Sequence, residues 1–75
     1  MKSTHLRVDA REMTCPMPLL KLKQALNKLE VGQQLHLIAT DLTSKRDLTS
    51  YINMTDHQMS FKEDNDELHF YVIKG

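Results

Sequence analysis

The chain has 75 residues, and its ten basic side chains are balanced by ten acidic ones, so the formal net charge is zero. A chain of this length has room for one thin core, which argues against a deep catalytic cleft. No apolar run approaches the roughly 20 residues needed to span a bilayer, and the N-terminus lacks the pattern of a secretory signal. We therefore expect one domain over residues 1–75, in the cytoplasm and without membrane insertion.

Two elements are predicted in the first part of the chain. Residues 5–9 alternate apolar and polar side chains, which is typical of a strand with one buried face. After a connector over residues 10–14, the apolar spacing predicts a helix from Pro16 to about Val31, with Gly32 as its C-terminal stop. The core stripe of this helix consists of Leu19, Leu22, Ala25, Leu26 and Leu29.

The rest of the chain predicts a strand, a second helix and two more strands. Alternation predicts a strand over residues 34–40, and Ser44 followed by Asp47 matches a capping box that opens a helix to about Met54. Residues 58–63 and 68–74 form the last two strands, joined by a polar turn over 64–67. This order predicts an α/β (α+β) two-layer sandwich, β-α-β-α-β-β, with two helices packed on one face of a four-stranded mixed sheet.

The only cysteine, Cys15, stands just ahead of the first predicted helix in the run Cys15-Pro16-Met17-Pro18. Unpaired backbone N–H groups and the helix dipole favour a thiolate there and lower a cysteine pKa from about 8.5 to between roughly 3.5 and 7.5. Pro16 and Pro18 cost little in a first helical turn, and Pro16 keeps Cys15 outside the helix. A lone cysteine is more often a buried apolar residue, but this placement predicts a reactive thiol whose chemistry involves a second molecule.

Met17 and Leu20 project away from the core stripe of the helix, on the side that carries Lys21. Two apolar side chains would then face water beside the thiol. The pattern predicts a docking surface for a partner protein, although scattered exposed apolar residues are common and explain it equally well. The first 50 residues carry eight basic and five acidic side chains, an excess that would help such a partner to dock.

These residues resemble the TusA/SirA-type sulfur carriers, small proteins with a Cys-Pro-x-Pro motif after the first strand. The resemblance covers nearly the whole chain and includes Asp9, the helix end from Ala25-Leu26 to Gly32, and Ala39-Thr40-Asp41 followed by Arg46-Asp47. Three positions depart from the family pattern: Glu12 stands where the family often has Gly, and Leu42 and Thr49 stand where it often has Pro. A carboxylate at Glu12 would raise the pKa of the nearby thiol and repel an acidic partner.

The resemblance implies that Cys15 accepts sulfane sulfur as a persulfide, from a cysteine desulfurase or a rhodanese-like donor, and passes it to a downstream acceptor protein. Destinations in the family include thiolation of the tRNA wobble uridine, molybdenum cofactor metabolism, and sulfur oxidation or import. The implied chemistry is exchange between a thiolate and a persulfide, which requires no metal or organic cofactor. The protein would be a monomeric carrier and a co-substrate more than a free-standing enzyme.

Asp41, Arg46 and Asp47 match family positions that are expected to approach the thiol end of the fold. Arg46 would stabilise a persulfide anion or pair with a partner carboxylate, and an exposed arginine without a special role is as good an explanation. For Asp47 the spacing from Ser44 favours a helix cap.

Two other classes of function are alternatives to a sulfur carrier. Small α/β sandwiches occur among RNA-binding proteins, but zero net charge, two Tyr and two Phe without Trp, and the lack of a sustained basic run argue against nucleic-acid binding. A thiol peroxidase or redox sensor would need an external thiol, because the chain has no resolving cysteine. No metal site is predicted, because metal-ligand spacing is lacking among His5, His36, His57 and His69.

Overall fold

The computed structural model describes residues 5–14 and 16–75. In these residues the elements follow the order β-α-β-α-β-β that the sequence predicts. They are β1 (His5–Ala10), α1 (Met17–Asn27), β2 (Gln34–Ala39), α2 (Thr43–Asn53), β3 (Gln58–Asp64) and β4 (Glu67–Ile73). Neither α1 nor α2 is long and apolar enough to cross a membrane.

The four strands form one mixed sheet in the order β1-β2-β4-β3. β1 is parallel to β2, whereas β4 is antiparallel to both β2 and β3. β1, β2 and β3 therefore point the same way. α1 and α2 both begin at the end of the sheet formed by the C-termini of β1 and β2. Both helices pack on one face of the sheet, which confirms the predicted two-layer fold.

One cluster of buried apolar side chains joins the helices to the sheet. β2 and β4 contribute alternate residues to it, as expected for strands with one covered face. The helical stripe predicted from the sequence lies in this cluster, with Leu19 only half-buried at its margin. The largest fully buried side chains are Phe70, Leu22, Leu35, Leu37, Leu48, Val72 and Pro18.

α1 ends at Asn27 and not near Val31, so the predicted C-terminus is wrong by about one turn. The N–H groups of Lys28 and Leu29 donate to carbonyls three residues earlier, which closes the helix. The ammonium of Lys74 then donates to the carbonyls of Leu26 and Leu29, at 2.9 and 2.7 Å. Gly32, with φ of 91°, belongs to the following turn and does not cap the helix.

The predicted capping box of α2 is also wrong. The helix begins at Thr43, so Ser44 lies inside it, 2% exposed, and its Oγ has no hydrogen-bond partner among the described residues. Asp41 serves the helix start instead, because its Oδ1 accepts from the N–H and the hydroxyl of Thr43, at 3.0 and 2.9 Å. An aspartate that binds the backbone two residues later is a common way to start a turn of helix.

The turn between β3 and β4 is tighter than predicted. β3 continues to Asp64 and β4 begins at Glu67, which leaves Asn65 and Asp66 as the connection. Both residues have positive φ, 51° and 66°, as a two-residue hairpin requires. Asn and Asp tolerate this conformation better than most residues, so the polar turn was predictable and its length was not.

Candidate functional site

The region around Cys15 lies where the parallel strands β1 and β2 end side by side. Ala10 pairs with Ala39 at the last position of the register, and the β1–α1 loop, residues 11–14, follows β1. Cys15 itself lies outside the described residues, so the projection of its sulfur and its lowered pKa stay predictions. Its two neighbours, Thr14 and Pro16, are both exposed.

Hydrogen bonds hold the backbone on both sides of Cys15. Before it, the Glu12 N–H donates to the hydroxyl of Thr40 at 2.8 Å, and the Met13 N–H donates to the carbonyl of Ala10 at 3.3 Å. After it, the Met17 N–H donates to the Thr14 carbonyl at 2.8 Å. Thr40 thus ties the β1–α1 loop to the residue that follows β2. No local sequence pattern predicts this contact, because 28 residues separate Thr40 from Glu12.

Glu12 has φ of 63°, in the left-handed region. A non-glycine residue pays roughly 1–2 kcal/mol for that conformation, whereas glycine adopts it freely. This backbone geometry gives a physical reason for the glycine that the resemblance places here. The Glu12 side chain is exposed.

Pro16 precedes α1 as its N-cap residue, and Met17 is the first helical residue, one position later than predicted. Pro18 occupies the first turn and is buried, whereas Pro16 is exposed. Neither proline has an N–H group, and the Met17 and Leu20 amides bind carbonyls of residues 14 and 16. The first turn of α1 therefore offers an anion fewer amides than an ordinary helix start, and any stabilisation of a thiolate rests more on the helix dipole.

The two apolar side chains predicted to face solvent on α1 are exposed. Met17 is 41% exposed and Leu20 is 42% exposed. Lys21, one residue further along α1, is half-buried. The periodicity of the helix was enough to predict this exposure, and its use in docking stays a prediction.

An ion-pair cluster next to the β1–α1 loop was missed by the sequence analysis. The guanidinium of Arg11 binds both carboxylate oxygens of Asp9, at 3.0 and 2.9 Å, and reaches Glu67 at 3.5 Å. Hydrogen bonds from the Arg11 side chain, and then from its backbone N–H, lower the pKa of Asp9 to about 2. These three residues border an open cavity of about 560 Å³, with Glu12, Met13 and Thr40 completing its lining.

Arg46 is exposed in the first turn of α2, at the same end of the sheet as the β1–α1 loop. The structure gives it no hydrogen bond or ion pair with that loop within the described residues. Its predicted role therefore rests on position alone. Asp41 contacts the start of α2 as described above.

Two histidines from different strands lie together on the open face of the sheet. Nε2 of His36, on β2, lies 2.8 Å from Nδ1 of His69, on β4, and the His36 ring stacks on Tyr71 at 4.5 Å between centroids. Among residues 5–14 and 16–75, no group of three or more candidate ligands is arranged to hold a metal ion.

Comparison with known proteins connects this geometry to a family. The family Sulfurtransferase TusA matches residues 6–74. The chain belongs to the TusA family. Among its TusA-family relatives, YrkI of Bacillus subtilis is 41% identical over 76 residues, which cover 100% of both chains. A protein of Allochromatium vinosum named Sulfur carrier protein TusA is 38% identical over 69 residues, covering 91% of each chain.

A solved structure shows the same architecture. A SirA-like protein from Desulfitobacterium hafniense superposes with a TM-score of 0.83 at 24% identity, over 93% of this chain and 97% of the other. At that identity the likeness establishes the shared fold.

Proposed function

We propose that this protein is a sulfur carrier that holds sulfane sulfur as a persulfide on Cys15. The observation that carries the proposal is the position of the only cysteine, within a Cys-Pro-x-Pro motif of a TusA-family chain. The name of the Allochromatium vinosum relative supports it. The hydrogen bonds of Glu12 and Met17 support it as well, since they fix the backbone on both sides of the thiol.

The proposed loading step is an exchange between two sulfur centres. The Cys15 thiolate attacks the terminal sulfur of a donor persulfide, a new S–S bond forms, and the donor S–S bond breaks to release the donor thiolate. Unloading is the same step with an acceptor thiolate as the attacking group. Electrons and sulfur atoms balance without a resident metal or organic cofactor.

The proposed donor is a cysteine desulfurase or a rhodanese-like protein, and the proposed acceptor is another thiol protein. Thiolation of the tRNA wobble uridine is one destination that fits such a relay, with cofactor synthesis and thiosulfate use as others. We place the relay in the cytoplasm, because a single unpaired thiol persists in a reducing compartment.

Intact-protein mass spectrometry tests the loading step. The protein is incubated with a cysteine desulfurase, pyridoxal phosphate and cysteine, or with a rhodanese and thiosulfate, and Cys15→Ser is the matched control. We expect a gain of one sulfur atom that a reductant removes and that Cys15→Ser lacks. Failure of both donors to load the wild-type protein would contradict the carrier function.

The exposed pair on α1 gives a prediction about docking. Met17→Gln with Leu20→Gln is expected to slow transfer from donor to carrier, because apolar contact area beside the thiol is lost. Val31→Gln with Met54→Gln is the matched control, since these side chains are 74% and 80% exposed but lie outside the first turns of α1. Transfer rates measured by single-turnover persulfide assay should fall in the first variant only. Equal rates in both variants would exclude the pair from docking.

A further inference from the structure

β1 forms one edge of the sheet, and its outer side has no strand partner among the described residues. It pairs with β2 alone, in a continuous register from His5 with Gln34 to Ala10 with Ala39. Edge strands of soluble proteins are commonly protected by proline or by a bulge. Residues 5–10 of β1 have neither, so no proline or bulge prevents this edge from pairing with a further strand.

A groove of about 230 Å³ runs between this edge and α1. Four consecutive residues of β1, 6–9, border it on one side, so its wall includes the backbone of the edge strand. On the other side lie Lys21, Gln24 and Ala25 of α1 and its C-cap residue, Lys28. Lys21, Gln24 and Lys28 follow one another at helical spacing, which places them along one side of the helix.

The groove carries a net positive charge. Arg7, Lys21 and Lys28 border it, and none of them forms a salt bridge with another described residue. The one carboxylate in the lining, Asp9, is bound to Arg11. Residues 16–29, which include the whole of α1, contain no Asp or Glu.

We propose that the groove between β1 and α1 binds an extended acidic segment of a partner protein, which pairs with β1 as an additional strand. Main-chain hydrogen bonds to β1 would supply affinity, and carboxylates on alternate residues of the segment would reach Lys21 and Lys28. Lys21 and Lys28 are about 10.5 Å apart along the helix axis, and same-face residues of a strand are roughly 6.7 Å apart. A segment of five or so residues therefore spans both lysines.

This surface is independent of the proposed sulfur chemistry, and its position has a consequence for docking. β1 runs directly into the β1–α1 loop and then to Cys15. A partner held on β1 would have its neighbouring residues next to the β1–α1 loop. The exposed pair Met17 and Leu20 lies at the same end of α1.

The probe for a test is a capped synthetic peptide with a repeated Glu-Thr sequence, titrated into the isotope-labelled protein and followed by NMR. We expect shifts and slowed hydrogen exchange at the amides of residues 6–9 of β1. The same peptide with N-methyl groups on alternate residues keeps its charge and cannot pair as a strand. Its binding is expected to be lost.

Charge variants of the protein complete the test. Lys21→Glu with Lys28→Glu is expected to weaken peptide binding at least about tenfold, which corresponds to roughly 1.4 kcal/mol of binding free energy. Lys23→Glu with Lys45→Glu is the matched control, because it changes the net charge equally and both lysines lie outside the groove, over the rings of Tyr51 and Phe61. Circular dichroism confirms that each variant is folded.

Three outcomes would overturn the proposal. Equal binding of the N-methylated peptide would mean that charge alone attracts the probe. Absence of changes at residues 6–9 would mean that β1 is not the docking edge. Changes at those amides that depend on protein concentration without peptide would assign the edge to a second copy of the chain.

Discussion

At the scale of single residues, the backbone of Glu12 predicts a substitution that stabilises the protein. Its φ of 63° disfavours any residue with a Cβ. Glu12→Gly should raise the free energy of unfolding by about 0.5–1 kcal/mol, the net of relieved strain and the greater freedom of glycine in the unfolded chain. Urea denaturation measures the change. Glu12→Ala separates strain from charge, because it removes the carboxylate and keeps the strain, so a similar gain there would contradict the explanation.

The ion pair of Arg11 and Asp9 predicts a measurable titration. The pKa of Asp9 is lowered from 3.8 to about 2, so its contribution to stability is complete above the unfolded value and is lost as the pH falls through about 2. Arg11→Gln should return the pKa of this carboxyl toward 3.8, as followed by NMR of the side chain. Arg7→Gln should shift it less, because Arg7 is the weakest of the causes. Equal shifts in both variants would show that general charge, and not the hydrogen bond, sets the pKa.

At the scale of elements, a side chain beyond β4 binds carbonyls at the C-terminal end of α1. The Lys74 ammonium binds two carbonyls at the helix C-terminus, where a positive charge also favours the dipole. Lys74→Met should lower the free energy of unfolding by about 1–2 kcal/mol. Thermal or urea denaturation tests this, with the exposed Lys62→Met as control. A loss no greater than that of the control would show that the cap contributes little.

The sequence predicted which elements form better than where they begin and end. Alternation and helical spacing are local, so all six elements were found in order, and the exposure of Met17 and Leu20 followed from the same periodicity. Lys74 binds carbonyls at the end of α1. It is distant in the chain, so a local pattern could not predict this contact. Two local patterns could start α2, a capping box at Ser44 or a turn at Asp41, and the structure shows the turn at Asp41. The contact between Arg11 and Glu67 was unpredictable for the same reason, since 56 residues separate them.

At the scale of the whole molecule, the open face of the sheet carries a pH-dependent contact. Burial, and then the nearby charges of His69 and Arg7, lower the pKa of His36 below its ordinary 6.5. Tyr71 stacks on the ring, and Glu67 lies 3.7 Å from His69. The fold therefore favours the neutral form of His36. The stability that this residue contributes is complete above pH 6.5, and it is lost as the pH falls from 6.5 through the lower pKa of His36 in the folded protein.

His36→Gln is therefore expected to flatten the dependence of stability on pH. The measurement is the melting temperature at about pH 7.5 and about pH 5, the range over which an unperturbed histidine titrates. The wild-type protein should lose more stability on acidification than the variant. His57→Gln is the control, because His57 lies outside the pair and accepts a hydrogen bond from the Gly75 N–H. An unchanged pH dependence in His36→Gln would rule out this pair as the cause.

The position of β4 has a consequence for how the protein is made. This strand follows the other three in the chain, yet it lies between β2 and β3 and supplies Leu68, Phe70 and Val72 to the core. Until the ribosome has synthesised it, β3 has no neighbour to pair with, and the core lacks its largest side chain, Phe70. The nascent chain is thus limited to α1, α2 and the β1–β2 pair. We expect the complete sheet to form in one late step, once residue 73 has left the exit tunnel, and not progressively during translation.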